Sequence, residues 1–305
     1  MTEPTDFKTG DAASYDKLAD KFDYYTERVS TYAVDELLDA VETAAGDVLD
    51  IGCGTGVVTL AAARKAAGGR RVIGVDLSDG MIEVARRKAS GLGLSGAVSF
   101  EIGDAEKLSF AGASIGAAVS LYAFRHFPHP DKAFAEAFRV VKPGGRIAVA
   151  VGSGPALLSM SGLRAAAQRL PRLIAQRTGR ELAACEHIDG LVHEFLPSPA
   201  DKEVAEWTTH HHGYSGPMAA LARQAGFVVE REWWAGRQYE FASAEEFWEL
   251  QSTFSSIARK RLQDAAPADA EKLRERFFAQ CDAVLARGGR LVYRVGAAFV
   301  AARKP

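Results

Sequence analysis

Three carboxylates and three glycines in this sequence stand at spacings that can hold a small charged ligand. Val48 to Gly56 reads VLDIGCGTG, an apolar run that closes on Asp50 and then turns through Gly52, Cys53, Gly54 and Gly56. Glycines at alternate positions let the backbone fold sharply and let a ligand approach the main chain with no Cβ in the way. A carboxylate just before such a turn works against a bound pyrophosphate and suits a ligand carrying an ammonium group. RRVIGVDLS ends a second apolar run at Asp76, 20 residues beyond Gly56. At that distance a carboxylate can accept from both hydroxyls of a ribose, a strong and directional contact. A third run, VSFEIGD, ends at Asp104. After a fourth, Ala117 to Leu121, the segment YAFRHF brings together Tyr122, Arg125 and His126. An arginine can steady a developing phenolate or enolate, and an imidazole, titrating near neutrality, can act as a base.

The elements that must position these groups alternate in type. Strand, tight turn and the helix-compatible VVTLAAARKAA, from about Val57, open a nucleotide-binding α/β unit with helix amides aimed at whatever lies over the turn. The G-x-G-x-G spacing places the third glycine one residue earlier than a dinucleotide site requires. Ser78 and Asp79 supply caps for the helix after Asp76, which leaves that acid available. Asp131 to Val141 reads as an amphipathic helix with Phe134 and Phe138 on one face, stopped by Lys142-Pro143-Gly144-Gly145, and Arg146 to Val151 as the fifth strand. The expected fold is a doubly wound, Rossmann-like α/β sheet of seven strands with an antiparallel last strand, N-terminal helices and helical lid insertions. Its divisions are 1–45 as N-terminal cap, 46–152 as cofactor-binding core, 153–213 as a lid insertion, 214–238 as core continuation, 239–288 as a second helical insertion and 289–305 as the last core strand. Residues 1 to about 13 read as loosely attached, and Ser14 to Ala45 as helical with aromatics at Tyr15, Phe22, Tyr24, Tyr25 and Tyr32. Gly226 is a helix C-cap before the sixth strand. The first insertion carries Arg164, Arg169, Arg172, Arg177 and Arg180 with no acid in the stretch. A solvated helical face is the plain reading of that run, and a surface for an anionic substrate the sharper one.

VLDIGCGTG, the acids at Asp76 and Asp104, and RVVKPGG before the fifth strand together resemble the class I S-adenosylmethionine-dependent methyltransferases, strongly over Val48 to Val151 and moderately over the N-terminal helices. The resemblance implies S-adenosyl-L-methionine as cofactor. It places Asp50, Gly52, Cys53, Gly54 and Gly56 around the amino-acid end and Asp76 on the ribose. Leu77 and Met81 flank the adenine, Asp104 accepts from its amino group, Gly103 and Ala105 border the ring, and Ser120 and Tyr25 complete the contacts. YAFRHF resembles the FGLRN segment of ubiquinone and menaquinone C-methyltransferases, with Arg125 matching their arginine and His126 replacing their asparagine. Tyr122, Arg125 and His126 are therefore the catalytic candidates, with a packing role for His126 as the alternative. The chain departs from the family at the start of the fourth strand, where Ser114-Ile115-Gly116-Ala117 stands in place of FDxV.

The 305 residues are 48% hydrophobic and 25% charged, ordinary for a globular protein with an adequate core. A net charge of −2 and a pI near 6.4 weigh against a general nucleic-acid binder. Cys53, Cys185 and Cys281 are too far apart for a metal knuckle or a disulfide framework and point to a reducing cytoplasm, as does the lack of an apolar leader or an 18-residue apolar run. No metal is expected: His210-His211-His212 are consecutive and, with His187 and His193, lack a carboxylate at ligand spacing. Trp207, Trp233, Trp234, Phe247, Trp248 and Phe254 can wall an aromatic pocket, although more of them should be core. Cys53 reads as filler beside the cofactor, since no histidine is placed to activate it. The expected function is methylation of a small aromatic, quinone-like or natural-product acceptor at carbon or oxygen. The rivals are an RNA- or protein-modifying methyltransferase, a protein of this fold that transfers no methyl group and, least favoured, a nicotinamide oxidoreductase. A small-molecule substrate is the expected partner, with no nucleic acid and no membrane span, and a homodimer stays open.

Overall fold

A computed structural model describes residues 10, 12–16, 18–66, 70–154, 169–196 and 217–305. The chain forms two compact units, one of residues 2–154, 212–235 and 296–305, the other of 155–211 and 236–295.

The first unit begins with helical backbone at residues 12–16, followed by α1 (Ala19–Val41). Then come β1 (Val48–Ile51), α2 (Val57–Lys65), β2 (Val72–Asp76), α3 (Asp79–Gly91), β3 (Val98–Ile102), β4 (Ile115–Leu121), α4 (Pro130–Val140) and β5 (Val141–Gly152). After the second unit's α5 (Arg169–Arg177), β6 (Glu181–Ala183) and α6 (Glu186–Phe195), the chain returns through α7 (Met218–Gln224) and β7 (Val228–Phe241). It crosses α8 (Ala244–Phe254), α9 (Ser256–Gln263) and α10 (Pro267–Ala286) before β8 (Arg290–Arg303).

β1 and β4 are buried on both faces, as inner strands of a parallel sheet must be, and their sequences are near-continuous apolar runs rather than alternations. The strand order is β3-β2-β1-β4-β5-β8, with Leu49 opposite Ile73 on one side and Ala118 on the other. β1 to β5 run parallel, and Ala297–Arg303 of β8 closes against β5 antiparallel, Val149 facing Val300. This is the doubly wound sheet with an antiparallel last strand that the sequence led us to expect. Two apolar layers flank it. Phe134, Ala137, Met218 and Ala222 of α4 and α7 pack on Leu49, Ile51, Ile147 and Val149. Val34, Leu37 and Leu38 of α1, with Val58 and Ala62 of α2, pack on Val48, Val119, Ala148 and Phe299.

Gly116, in the segment that departs from the family pattern, answers a local need. A Cβ there would lie 2.1 Å from the carbonyl oxygen of Ala45, so only glycine lets β4 start under the chain entering β1. Helix α4 ends directly where β5 begins, and its last carbonyls are met from elsewhere. Those of Arg139 and Val140 accept from the N–H of Ala113 and Ser114. Lys304 Nζ donates to the Phe138 carbonyl and to that of Val141 from a position 4.4 Å over the Phe138 ring.

In the second unit β6 pairs in parallel with the start of β8, Leu182 opposite Leu291. Its core gathers Phe241, Phe247 and Phe277 around the His187 ring. Cys185, at the start of α6, has φ +66° and offers no side-chain cap. Buried Gln251 of α8 replaces it, its Oε1 accepting from the backbone N–H of Cys185 and Ile188. Glu181, almost fully buried, accepts from Arg294 (2.7 Å) and lies 3.3 Å from Arg290.

The described parts of the insertions at 153–213 and 239–288 join in one unit, and the division between the units falls within β7 after Ala235 and within β8 after Val295. Helical backbone is already present at residues 12–16. His210, His211, His212, Trp207 and Arg164 lie outside the described residues. Among the described residues no helix is long and apolar enough to cross a membrane, and no cluster of His, Cys, Asp and Glu could hold a metal ion.

Candidate functional site

The C-terminal ends of β1, β2 and β3 meet around the glycine turn. Parallel pairing sets them side by side, and Gly52 and Cys53 both donate to the Val75 carbonyl, which ties the turn to β2. Gly103 donates to the Asp76 carbonyl, so Asp104 follows within one residue of the same edge. The three glycines have positive φ, +70°, +50° and +82°, for different reasons. At Gly52 a Cβ would strike Ala123 Cβ, at 2.3 Å, in the segment after β4. At Gly56 it would touch the Phe100 ring at 3.0 Å. At Gly54 it would meet nothing within 4 Å, so the protein's own packing does not demand that glycine and the open space beside it is free for a ligand.

Asp50 lies under this turn, 1% exposed. Its Oδ2 accepts from Thr59 Oγ1 at 2.6 Å, and its Oδ1, buried, has no partner among the described residues. Burial lifts its carboxyl to about 7, against the pull of the Thr59 hydrogen bonds, and the charge of Asp76 pushes it further the same way. An unmatched buried carboxylate oxygen is costly unless a donor reaches it. A cationic donor, such as an ammonium group, suits both that oxygen and its charge.

Asp76 accepts from Gly54 N at 2.8 Å and from Ser78 N at 3.0 Å, so it holds the turn in shape as well as facing it. Burial raises its pKa, opposed by those backbone donors and by the charge of His126. Each of its oxygens keeps acceptor capacity beyond these bonds. Ser78, as expected, caps α3, accepting from Met81 N. Asp104 Oδ1 accepts from Glu106 N, which makes it a turn-former at the least, and Ala105 is buried in the core beside it. Leu77 stays partly accessible. Met81 does not: it is buried among Ala19, Val84, Tyr15 and Phe22, where it fills the seam between α3 and the N-terminal helices. Ser120 is likewise committed elsewhere, fully buried and donating to the Ile51 carbonyl across β4 and β1. Tyr25 is buried in α1 with its ring 5.0 Å from Tyr24. Cys53 packs with Leu60, Ile82, Ala85 and Phe100, and burial, with the charges of Asp76 and Asp50, pushes its thiol well up, which suits a filler and not a nucleophile.

The YAFRHF residues follow β4. Tyr122 has φ +62°, a conformation that a bulky side chain adopts only when its surroundings enforce it. They do so here: its N–H donates to Ala150 O, and its hydroxyl lies 2.7 Å from that of Tyr32 on α1. Arg125 is half-buried and His126 exposed, with the Tyr15 ring edge-on to the imidazole at 6.1 Å. Sequence reasoning missed Tyr32 as Tyr122's partner and Asp16, which reaches the start of α3. The one signal for Asp16 was Gly80, a poor helix former in a first turn that already had its caps.

Residues 48–145 match the family model described as a methyltransferase domain. The chain is 32% identical over 146 residues to the demethylmenaquinone methyltransferase of Symbiobacterium thermophilum, covering 46% of this chain and 58% of that protein. It is 27% identical over 219 residues to the nocamycin O-methyltransferase of Saccharothrix syringae, covering 72% of each. The crystal structure of YcgJ from Bacillus subtilis aligns over 90% of this chain and 98% of that one with a TM-score of 0.52 at 20% identity, a likeness of fold. The chain spans about half the length of the curated relatives it matches. With the strand-end acids and the open glycine turn in place, residues 48–145 form a methyltransferase domain.

Proposed function

We propose that this protein is a methyltransferase that uses S-adenosyl-L-methionine to methylate a small-molecule acceptor of aromatic, quinone-like or natural-product type, at carbon or oxygen. The observation that carries the reading is the buried, unmatched Oδ1 of Asp50 beneath a glycine turn whose central residue faces open space. That pairing fits a ligand with both an ammonium group and a need for close backbone approach. The cofactor, when bound, supplies an electrophilic methyl group on a sulfonium for in-line displacement. Asp50 would receive its ammonium group, Asp76 the ribose hydroxyls and Asp104 the adenine amino group, with Leu77 beside the ring.

The chain's own part in the chemistry falls to the residues after β4. Arg125 steadies negative charge that develops on the acceptor oxygen, and His126, exposed beside Asp76, takes the acceptor's proton. Tyr122 shapes the entrance to the same strand end. The relatives' names support small molecules as acceptors, since one methylates a demethylmenaquinone and another an oxygen of nocamycin. We place the protein in the cytoplasm, acting without nucleic acid, as its three free cysteines and net charge of −2 favour. Arg177, at the end of α5, and Arg180 then belong to the second unit's own surface, and a homodimer is the assembly to test.

Calorimetry with S-adenosylmethionine tests the cofactor half: micromolar binding is expected, and titration with NAD should give none. For the chemistry, S-adenosylhomocysteine release is followed across a panel of phenols, quinols and enols. His126→Ala should lower turnover on any active acceptor at least tenfold and leave cofactor affinity within a factor of two. Equal turnover would remove the histidine from the reaction.

A further inference from the structure

Tyr15 and Asp16 sit where one short segment touches both halves of the site. Asp16 Oδ1 accepts from Ser78 Oγ at 2.6 Å and from Gly80 N at 3.1 Å. Ser78 in turn donates its own N–H to Asp76 Oδ1 and caps α3 through Met81 N. A continuous line of hydrogen bonds therefore runs from Asp16 through Ser78 to Asp76, which also holds Gly54 of the turn. Beside it, Tyr15 lays the edge of its ring against His126 and packs on Phe22. The segment can come this close because position 80 is glycine: a Cβ there would lie 2.7 Å from Asp16 Cα and 2.9 Å from its carbonyl oxygen. Behind the segment, α1 is fixed to α3 by ion pairs from Asp20 to Arg87 and from Asp23 and Glu27 to Lys88.

We infer that Tyr15 and Asp16 form a clamp that positions Asp76 for the cofactor through Ser78 and orients His126 for the acceptor. Neither is a catalytic residue, because each acts through a neighbour. A helix that merely needed capping would have been served by Ser78 alone, yet Asp16 accepts from the Ser78 hydroxyl and the Gly80 amide as well. The arrangement couples the two halves: a segment that lifts away frees the cofactor carboxylate's neighbour and the base's neighbour in one movement. Cofactor exchange should then require the segment to release Ser78 and Gly80.

The clamp rests on the proposed cofactor site, and S-adenosylhomocysteine serves as the probe for both. Its affinity and its association and dissociation rates are measured by calorimetry and stopped-flow fluorescence on the full chain. Asp16→Ala should weaken binding by about five- to twentyfold, mainly through faster dissociation, as expected when two hydrogen bonds to a carboxylate are lost. Asp16→Asn keeps an acceptor oxygen in place and should restore most of the loss. Tyr15→Ala should shift the His126 ring signals in NMR through the lost ring current, and Tyr15→Phe should leave them near their original positions. If wild type fails to bind the probe, the cofactor reading falls and the clamp with it. If wild type binds but Asp16→Ala matches it in affinity and both rates, the clamp alone is wrong. The clamp also fails if Asp16→Asn is as impaired as Asp16→Ala, or if Tyr15→Ala leaves the His126 signals unmoved. A variant that loses its circular-dichroism spectrum is replaced by Ser78→Ala, which breaks the same line at its centre and should also speed dissociation.

Discussion

Asp50 joins a cost in the empty protein to a use in the loaded one. Its carboxyl titrates at about 7 in the fold because of burial, against an ordinary 3.8. The folded state therefore holds this proton more tightly than the unfolded chain does. Stability is fully retained below pH 4 and falls as the pH rises between about 4 and 7. Asp50→Asn, which keeps an acceptor for Thr59 and cannot ionise, should raise the melting temperature of the cofactor-free protein at pH 8. That gain corresponds to a few kcal/mol at most, and it should vanish at pH 4. The same variant should bind S-adenosylmethionine at least tenfold more weakly at pH 8, because an ammonium partner is lost. Equal thermal shifts at both pH values would contradict this account of the site. The place of Asp50 beneath the turn was legible in the sequence because an acid before a glycine turn is a local pattern. The buried seat of Met81 and the bond from Ser120 to Ile51 were not, because each depends on a neighbour brought in by another strand or helix.

At the scale of elements, the turn and strand β4 separate packing from binding. Gly54→Ala adds a methyl group that meets no atom within 4 Å, but at φ +50°. It should cost about 1 kcal/mol of stability, the usual penalty for a left-handed alanine, and weaken cofactor binding by a larger factor. Denaturant unfolding and calorimetry on one preparation compare the two. Gly116→Ala should behave in the opposite way. Its Cβ has only the Ala45 carbonyl to move into, so unfolding should come several kcal/mol sooner, of the order seen for overpacked or strained sites. A stable Gly116→Ala protein would show that the entry to β1 is more pliable than its geometry suggests. Most strands and helices of this core were readable from apolar runs and caps to within a residue or two. But β5 begins at Val141 and takes in the Lys142-Pro143-Gly144-Gly145 segment read as a turn, through a shift of register against β4. Lys304 reaching back to the end of α4 was not, since nothing near residue 140 announces that its carbonyls await a lysine 164 residues later.

At the scale of the molecule, the chain leaves the sheet twice and uses both excursions to build a second unit. The sequence showed two helical interruptions of the alternating pattern. That they share one core could not be read from it, because Gln251 capping α6 and Glu181 meeting Arg294 are contacts between distant segments. Glu181→Ala would remove the buried acceptor shared by Arg294 and Arg290, which keep Gln238 and Glu240 as partners, and should cost the second unit about 1–3 kcal/mol. Hydrogen exchange should quicken in α6, α8 and α10, and amides of β1 and β2 should keep their protection. Uniform loss of protection throughout would mean that the two units unfold as one.

The closing strand has a consequence for how the protein is made. Val149 and its neighbours in β5 acquire their antiparallel partner only from Ala297 onward. During synthesis, a nascent chain halted near residue 290 would therefore expose the outer edge of a valine and alanine alternation whose other edge is already paired with β4. Such a ribosome-bound intermediate invites association with its own kind until β8 emerges.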